Sequence, residues 1–159
     1  MRRKGRQQNR RAIVSDAGLA PTVLAMVAQF TPIQRVLLCQ QGTLQATLSA
    51  YLGRPVGVEL KKQEKSADGR WKRTVNLVAD GKVVCWAYST LVVDIAALWP
   101  DIERGELGIG RILEKWRIKA EWELRDVEQD DRTFSRRYTL KAPKLRYDIQ
   151  ETFEKAMFR

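Results

Sequence analysis

Trp71-Lys-Arg-Thr-Val-Asn-Leu-Val-Ala-Asp-Gly81 reads as a strand that runs into a two-residue turn. Successive side chains of a strand point to opposite faces. Arg73 therefore shares a face with Val75 and Leu77, opposite Lys72, Thr74 and Asn76. Asp80-Gly81 is a strong hairpin signal, because both central positions of the favoured turn need a positive φ. The return run, Lys82 to Val93, is apolar on both faces and so predicts a central strand. Upstream, Val56, Val58 and Leu60 alternate with Gly57, Glu59 and Lys61, and Ser66-Ala-Asp-Gly69 marks a turn. Downstream, Ile118, Ala120, Trp122 and Leu124 alternate with charged residues. Thr133 to Lys141 and Lys144 to Phe153 complete an antiparallel set about a turn at Ala142-Pro143.

Helical signals surround these strands. Ala20 to Phe30 fits a short apolar helix with Pro21 near its start. Thr31 can cap a helix that has Pro32 at its first position. Thr43 can cap another, with Leu44, Thr47, Leu48 and Tyr51 on one face and Gly53 as its end. Asp94 to Gly105 reads as a short helix broken by Pro100, and Leu107 to Leu113 as one more helical turn. The sum is an α+β fold in a single domain over residues 20–159: an antiparallel sheet of about six strands with helices on one face. No internal repeat is visible in the sequence.

The composition bounds the chemistry. With 159 residues the chain is one domain long enough for a proper core. No run reaches the ~18 apolar residues of a spanning helix, and no apolar leader is visible. Cys39 and Cys85 sit inside apolar runs and read as free buried thiols. Together these predict a cytoplasmic protein or, given the Arg-rich start, one of an organelle stroma or matrix. The chain has no histidine, which removes His-based triads and His-containing metal sites. Proton transfer then falls to Glu, Asp, Lys, Tyr or Cys. Neither a cofactor nor a metal is expected. Of the net charge of +10, Met1 to Arg11 carries six positive charges and no acid. Residues 1–19 thus read as a disordered basic arm able to touch nucleic acid or another acidic surface.

Two charges break the strand patterns. One is Arg73. The other is Glu151, which alternation places with Leu145, Tyr147, Ile149 and Phe153, opposite Arg146, Asp148, Gln150 and Thr152. A buried charge must be paired or it shifts towards neutrality, so an inward Arg and an inward Glu in one small domain suggest a site for an anionic ligand. Gly108-Ile-Gly110, two glycines before a helix, is too short for a dinucleotide fingerprint but can turn backbone N–H groups towards an anion.

Three segments in order resemble the chorismate lyase (chorismate pyruvate-lyase) family. Arg35 to Leu52 is similar to that family's helix pair, with Thr43-Leu44 opening the second helix. Trp71 to Gly81 is similar to its Arg-bearing strand and Asp-Gly hairpin. Ile149-Gln-Glu-Thr-Phe153 looks like its terminal strand with a catalytic Glu, and Leu107 to Arg111 resembles the hydrophobe-Gly step before a helix. The resemblance runs from about residue 30 to residue 153. It implies a carbon–oxygen lyase that converts chorismate to pyruvate and 4-hydroxybenzoate, a precursor for quinone biosynthesis, without metal or cofactor. It assigns a substrate carboxylate to Arg73 and general acid/base work to Glu151. Backbone groups at Leu44, Ile109 and Gly110 would help hold the ligand, and helical flaps would cover it. Where some members carry a second Arg on the hairpin's return strand, this chain has Tyr88, which can donate one hydrogen bond but brings no charge. Two other readings stand beside this one. The same fold serves as the sensing domain of GntR-type regulators, so a non-catalytic protein binding a small aromatic acid is one. A scaffold in a nucleic-acid complex, attached through the basic arm, is the other.

Overall fold

The computed structural model describes residues 18–68 and 70–159. Residues 1–17 of the basic arm and Gly69 of the expected 66–69 turn lie outside the described residues. Helices α1 (Pro21–Val27), α2 (Pro32–Cys39) and α3 (Leu44–Leu52) precede strands β1 (Gly57–Lys65), β2 (Arg70–Ala79) and β3 (Lys82–Val93). Helices α4 (Trp99–Arg104) and α5 (Ile109–Lys115) follow, then strands β4 (Glu121–Gln129), β5 (Thr133–Ala142) and β6 (Leu145–Glu154). The six strands form one antiparallel sheet in the order β1-β2-β3-β6-β5-β4. The architecture is the α+β fold that the strand and helix signals predict. No helix among the described residues is long and apolar enough to cross a membrane.

Local chemistry explains most element ends. Asp80 and Gly81 both have positive φ (48° and 73°), so the β2–β3 turn takes the two-residue geometry that an Asp-Gly pair favours. Pro100 does not break a helix. It occupies the first turn of α4, where its missing N–H needs no partner. The residues before it form a separate 3₁₀ turn over Ala96–Leu98. Ile118 and Ala120 lie in the loop before β4, which starts at Glu121. Gly105 closes α4 at φ 67°, and a Cβ there would run into the Leu60 side chain. Gly105→Ala is therefore expected to lower the unfolding free energy by about 1–2 kcal/mol, the cost of a left-handed non-glycine residue. Urea denaturation measures it.

The sheet has two unlike faces. Val84, Leu91, Trp122, Leu124, Phe134, Tyr147 and Phe153 are buried under the helices. Trp86, Tyr88 and Val92 on the other face of β3 are exposed. In the core Phe134 stacks on Phe153 at 5.0 Å and Phe158 meets both rings edge-on. Gln34 of α2 donates to the Phe158 carbonyl at 3.0 Å and ties the chain's end to this cluster.

The element order also contains a repeat with no counterpart in the sequence. Two α-α-β-β-β units, α2 to β3 and α4 to β6, meet at the β3–β6 pair. The register there is Ala87↔Glu151, Tyr88↔Gln150 and Ser89↔Ile149, so a local twofold centred on Tyr88 and Gln150 exchanges the two halves. It matches β2 with β5 and β3 with β6. Because Arg73 pairs with Ser89 and Arg136 with Glu151, Arg73 corresponds to Arg136 and Ser89 to Glu151.

Candidate functional site

A cavity of about 400 Å³ lies between the centre of the sheet and the starts of α3 and α5. That volume falls within the range of small-molecule sites. Its floor comes from inward positions of four strands: Arg73 and Val75 of β2, Ala87 and Ser89 of β3, Tyr138 of β5, and Ile149 and Glu151 of β6. Its cover is the 41–45 segment at the start of α3 and the 108–111 segment at the start of α5. Leu44, Ile109 and Gly110 are thus in the cavity wall, at the first turns of those two helices.

Arg73 is 1% exposed. Its Nη2 donates to the Leu107 carbonyl at 2.7 Å and reaches the Gly105 carbonyl at 3.4 Å, fixing the loop that leads into α5. Its Nε and Nη1 are buried without a hydrogen-bond partner. Burial lowers the guanidinium below its ordinary pKa, and the neighbouring Tyr147 hydroxyl opposes that shift. No carboxylate forms an ion pair with Arg73 among the described residues. A buried cation with free donors at a cavity wall is a costly arrangement unless something anionic completes it.

Glu151 is also buried and on the inner face, but it is not alone among apolar side chains. Arg136 donates from Nε to one carboxylate oxygen at 2.6 Å, and the Tyr138 hydroxyl donates to the other at 2.8 Å. Arg136, itself 1% exposed, donates from Nη1 to the carbonyls of Gln40 at 2.6 Å and Leu38 at 3.2 Å. These are carbonyls at the end of α2, where a helix leaves acceptors unsatisfied and favours a cation. Arg136 also stacks on the Tyr138 ring, its guanidinium carbon 4.4 Å from the centroid. Burial works against the Arg136 charge, but Glu151 and Tyr138 outweigh it and hold the guanidinium above its ordinary pKa. Burial and the Glu151 charge push the Tyr138 hydroxyl well above the usual tyrosine value, so it remains a donor.

The second inward arginine is therefore Arg136, which the sequence reading passed over. A usable signal existed: the alternation that turns Glu151 inward also groups Arg136 with Phe134, Tyr138 and Leu140. Tyr88 is the correction. It pairs with Thr74 and Gln150 on the outer face, is 45% exposed and does not line the cavity. Strand parity excludes it, since its neighbours Ala87 and Ser89 both point inward. Asp148 lies on the outer side, bonded to Arg146 and Thr139.

The segment that carries α5 has its own fastening. Asp101 of α4 is buried and accepts from Lys115 Nζ on both oxygens at 2.9 Å, from Trp116 Nε1 at 2.7 Å, and from Arg104. The Lys115 and Trp116 bonds hold the Asp101 carboxyl below the usual aspartate value of 3.8. A depressed folded pKa contributes stability above the unfolded value that is lost as pH falls through the folded one. Amide exchange in α5 is thus expected to speed up as pH falls below about 4, the ordinary aspartate range, once the intrinsic pH dependence is divided out. Asp101→Asn should make that exchange fast and pH-independent.

No protein-family model matches the chain, and no curated protein is similar to it. Among solved structures, the extracellular domain of PknH from Mycobacterium tuberculosis is similar over 79% of this chain and 88% of that one. The identity is 13% and the TM-score 0.25, values that carry no argument about fold or function.

Proposed function

We propose that the cavity binds an aromatic carboxylic acid and that the chain is a chorismate lyase, releasing pyruvate and 4-hydroxybenzoate. The observation that carries the reading is Arg73, buried at the cavity wall with two unpartnered donors. A carboxylate is the group whose geometry and charge satisfy a guanidinium edge. The apolar floor of Val75, Ala87 and Ile149 suits a flat ring.

The reaction breaks the bond between the ring carbon and the ether oxygen, which leaves with the enolpyruvyl group, removes the proton from the adjacent ring carbon that bears the hydroxyl, and delivers one proton to the enolpyruvyl methylene to give the pyruvate methyl. One residue that takes and returns a proton can serve both ends. Glu151 is the carboxylate on the cavity floor, and each of its oxygens accepts one hydrogen bond and keeps a further lone pair that can take the ring proton. Arg73 would orient the ring carboxylate where a low dielectric makes the pair strong. The net charge of +10 favours arrival of a doubly negative substrate.

Arg73→Met is expected to weaken 4-hydroxybenzoate binding by about 100-fold, as loss of charge-assisted hydrogen bonds implies, and to raise KM for chorismate by a similar factor. Calorimetry and a pyruvate-coupled assay measure the two. Unchanged values for both would remove Arg73 from the site. One observation favours a second reading, a binding protein without chemistry: both Glu151 oxygens already have protein donors. That reading requires tight 4-hydroxybenzoate binding with no pyruvate released.

A further inference from the structure

The local twofold gives the two buried arginines equivalent places but unequal partners. Arg136 holds the loop before α3 through the Leu38 and Gln40 carbonyls, and its Nε meets the Glu151 carboxylate. Arg73 holds the loop before α5 through the Gly105 and Leu107 carbonyls, and its Nε meets nothing. The residue equivalent to Glu151 is Ser89, which pairs with Arg73 across β2 and β3 as Glu151 pairs with Arg136 across β6 and β5. Ser89 is 4% exposed and lines the cavity. Its side chain ends two bonds short of where a glutamate would place its carboxylate oxygens. One half of the sheet thus supplies its own anion, while the other has the same cation, the same loop anchor and, at the equivalent seat, only the Ser89 hydroxyl.

We infer that the ligand's carboxylate occupies that seat, bound to Nε and Nη1 of Arg73 and to the Ser89 hydroxyl, in the position that the Glu151 carboxylate holds beside Arg136. Ser89 is then a positioning residue that selects an acid carried on a flat group, because the small serine leaves room for a ligand carboxylate and a larger acidic residue would fill it. The ligand completes the pseudo-symmetry of the buried charges. This placement deepens the aromatic-acid reading of the cavity and rests on it, but it does not depend on any turnover.

The test is a set of Ser89 variants measured by calorimetry against 4-hydroxybenzoate and by thermal unfolding without ligand. Ser89→Glu supplies the missing anion from the protein itself. It should abolish 4-hydroxybenzoate binding and raise Tm, because the buried Arg73 gains a partner. Ser89→Ala should raise Kd about tenfold through loss of one hydrogen bond to a charged group, and Ser89→Thr, which keeps the hydroxyl, should restore most of that loss. Wild-type affinity in a folded Ser89→Glu protein overturns the placement. If Ser89→Glu does not fold, an unchanged Kd in Ser89→Ala overturns it. A wild-type protein that binds 4-hydroxybenzoate with this Ser89 dependence but releases no pyruvate from chorismate keeps the seat and loses the lyase. A wild-type protein that binds no aromatic acid loses both.

Discussion

Glu151→Gln is expected to lower kcat for pyruvate release by about 10²- to 10⁴-fold, the usual range for removing a general acid/base. Glutamine keeps the length and planar shape of the side chain and can still accept from Arg136 or Tyr138, the two donors that hold the carboxylate. It cannot take up the ring proton. The variant should still bind 4-hydroxybenzoate within about threefold of wild type, because loss of a transition-state interaction lowers kcat without removing ground-state contacts. Steady-state kinetics beside a binding isotherm separates the two effects. A variant that turns over at the wild-type rate would reduce Glu151 to the structural partner of Arg136.

Arg136→Met is expected to lower the unfolding free energy by about 3–5 kcal/mol, the cost of leaving a buried charge without its partner. Three groups are stranded at once: the Glu151 carboxylate and the Leu38 and Gln40 carbonyls. The stability should return in part when Glu151→Gln is added, since the second change removes the uncompensated charge. The double variant therefore falls short of the sum of the singles. Urea denaturation of the four proteins of the cycle measures this. Purely additive losses would mean that the Arg136–Glu151 pair contributes nothing as a pair. Ligand affinity in Arg136→Met should also fall, because the 41–45 wall of the cavity follows directly on the loop that Arg136 anchors.

Much of the sheet was legible because strands such as β2 and β6 alternate cleanly and the β2–β3 turn uses chemistry with few alternatives. The Asp80-Gly81 pair has the two positive φ angles that such a turn requires. Arg73 and Glu151 stood out for the same reason, as charges at even steps from apolar neighbours, and both side chains are buried at one cavity. Arg136 obeys the same parity, but Ser135 and Arg137 flank it and make the run look like an exposed basic strand. Tyr88 failed for the opposite reason. Strand β3 is apolar on both faces, so polarity could not orient it, and only the inward Ser89 gives the parity away. The loop anchors left no trace, since both arginines bind backbone carbonyls, which every residue carries. The twofold is likewise silent: Arg73 and Arg136 correspond through topology and register, while the residues around them differ.

The direct measurement is product stoichiometry. Purified protein incubated with chorismate should release pyruvate and 4-hydroxybenzoate in equal amounts, faster than chorismate decays alone, and the rate should fall by about 10²- to 10⁴-fold in Glu151→Gln. Chorismate recovered intact beside a protein that is folded by circular dichroism would contradict the lyase.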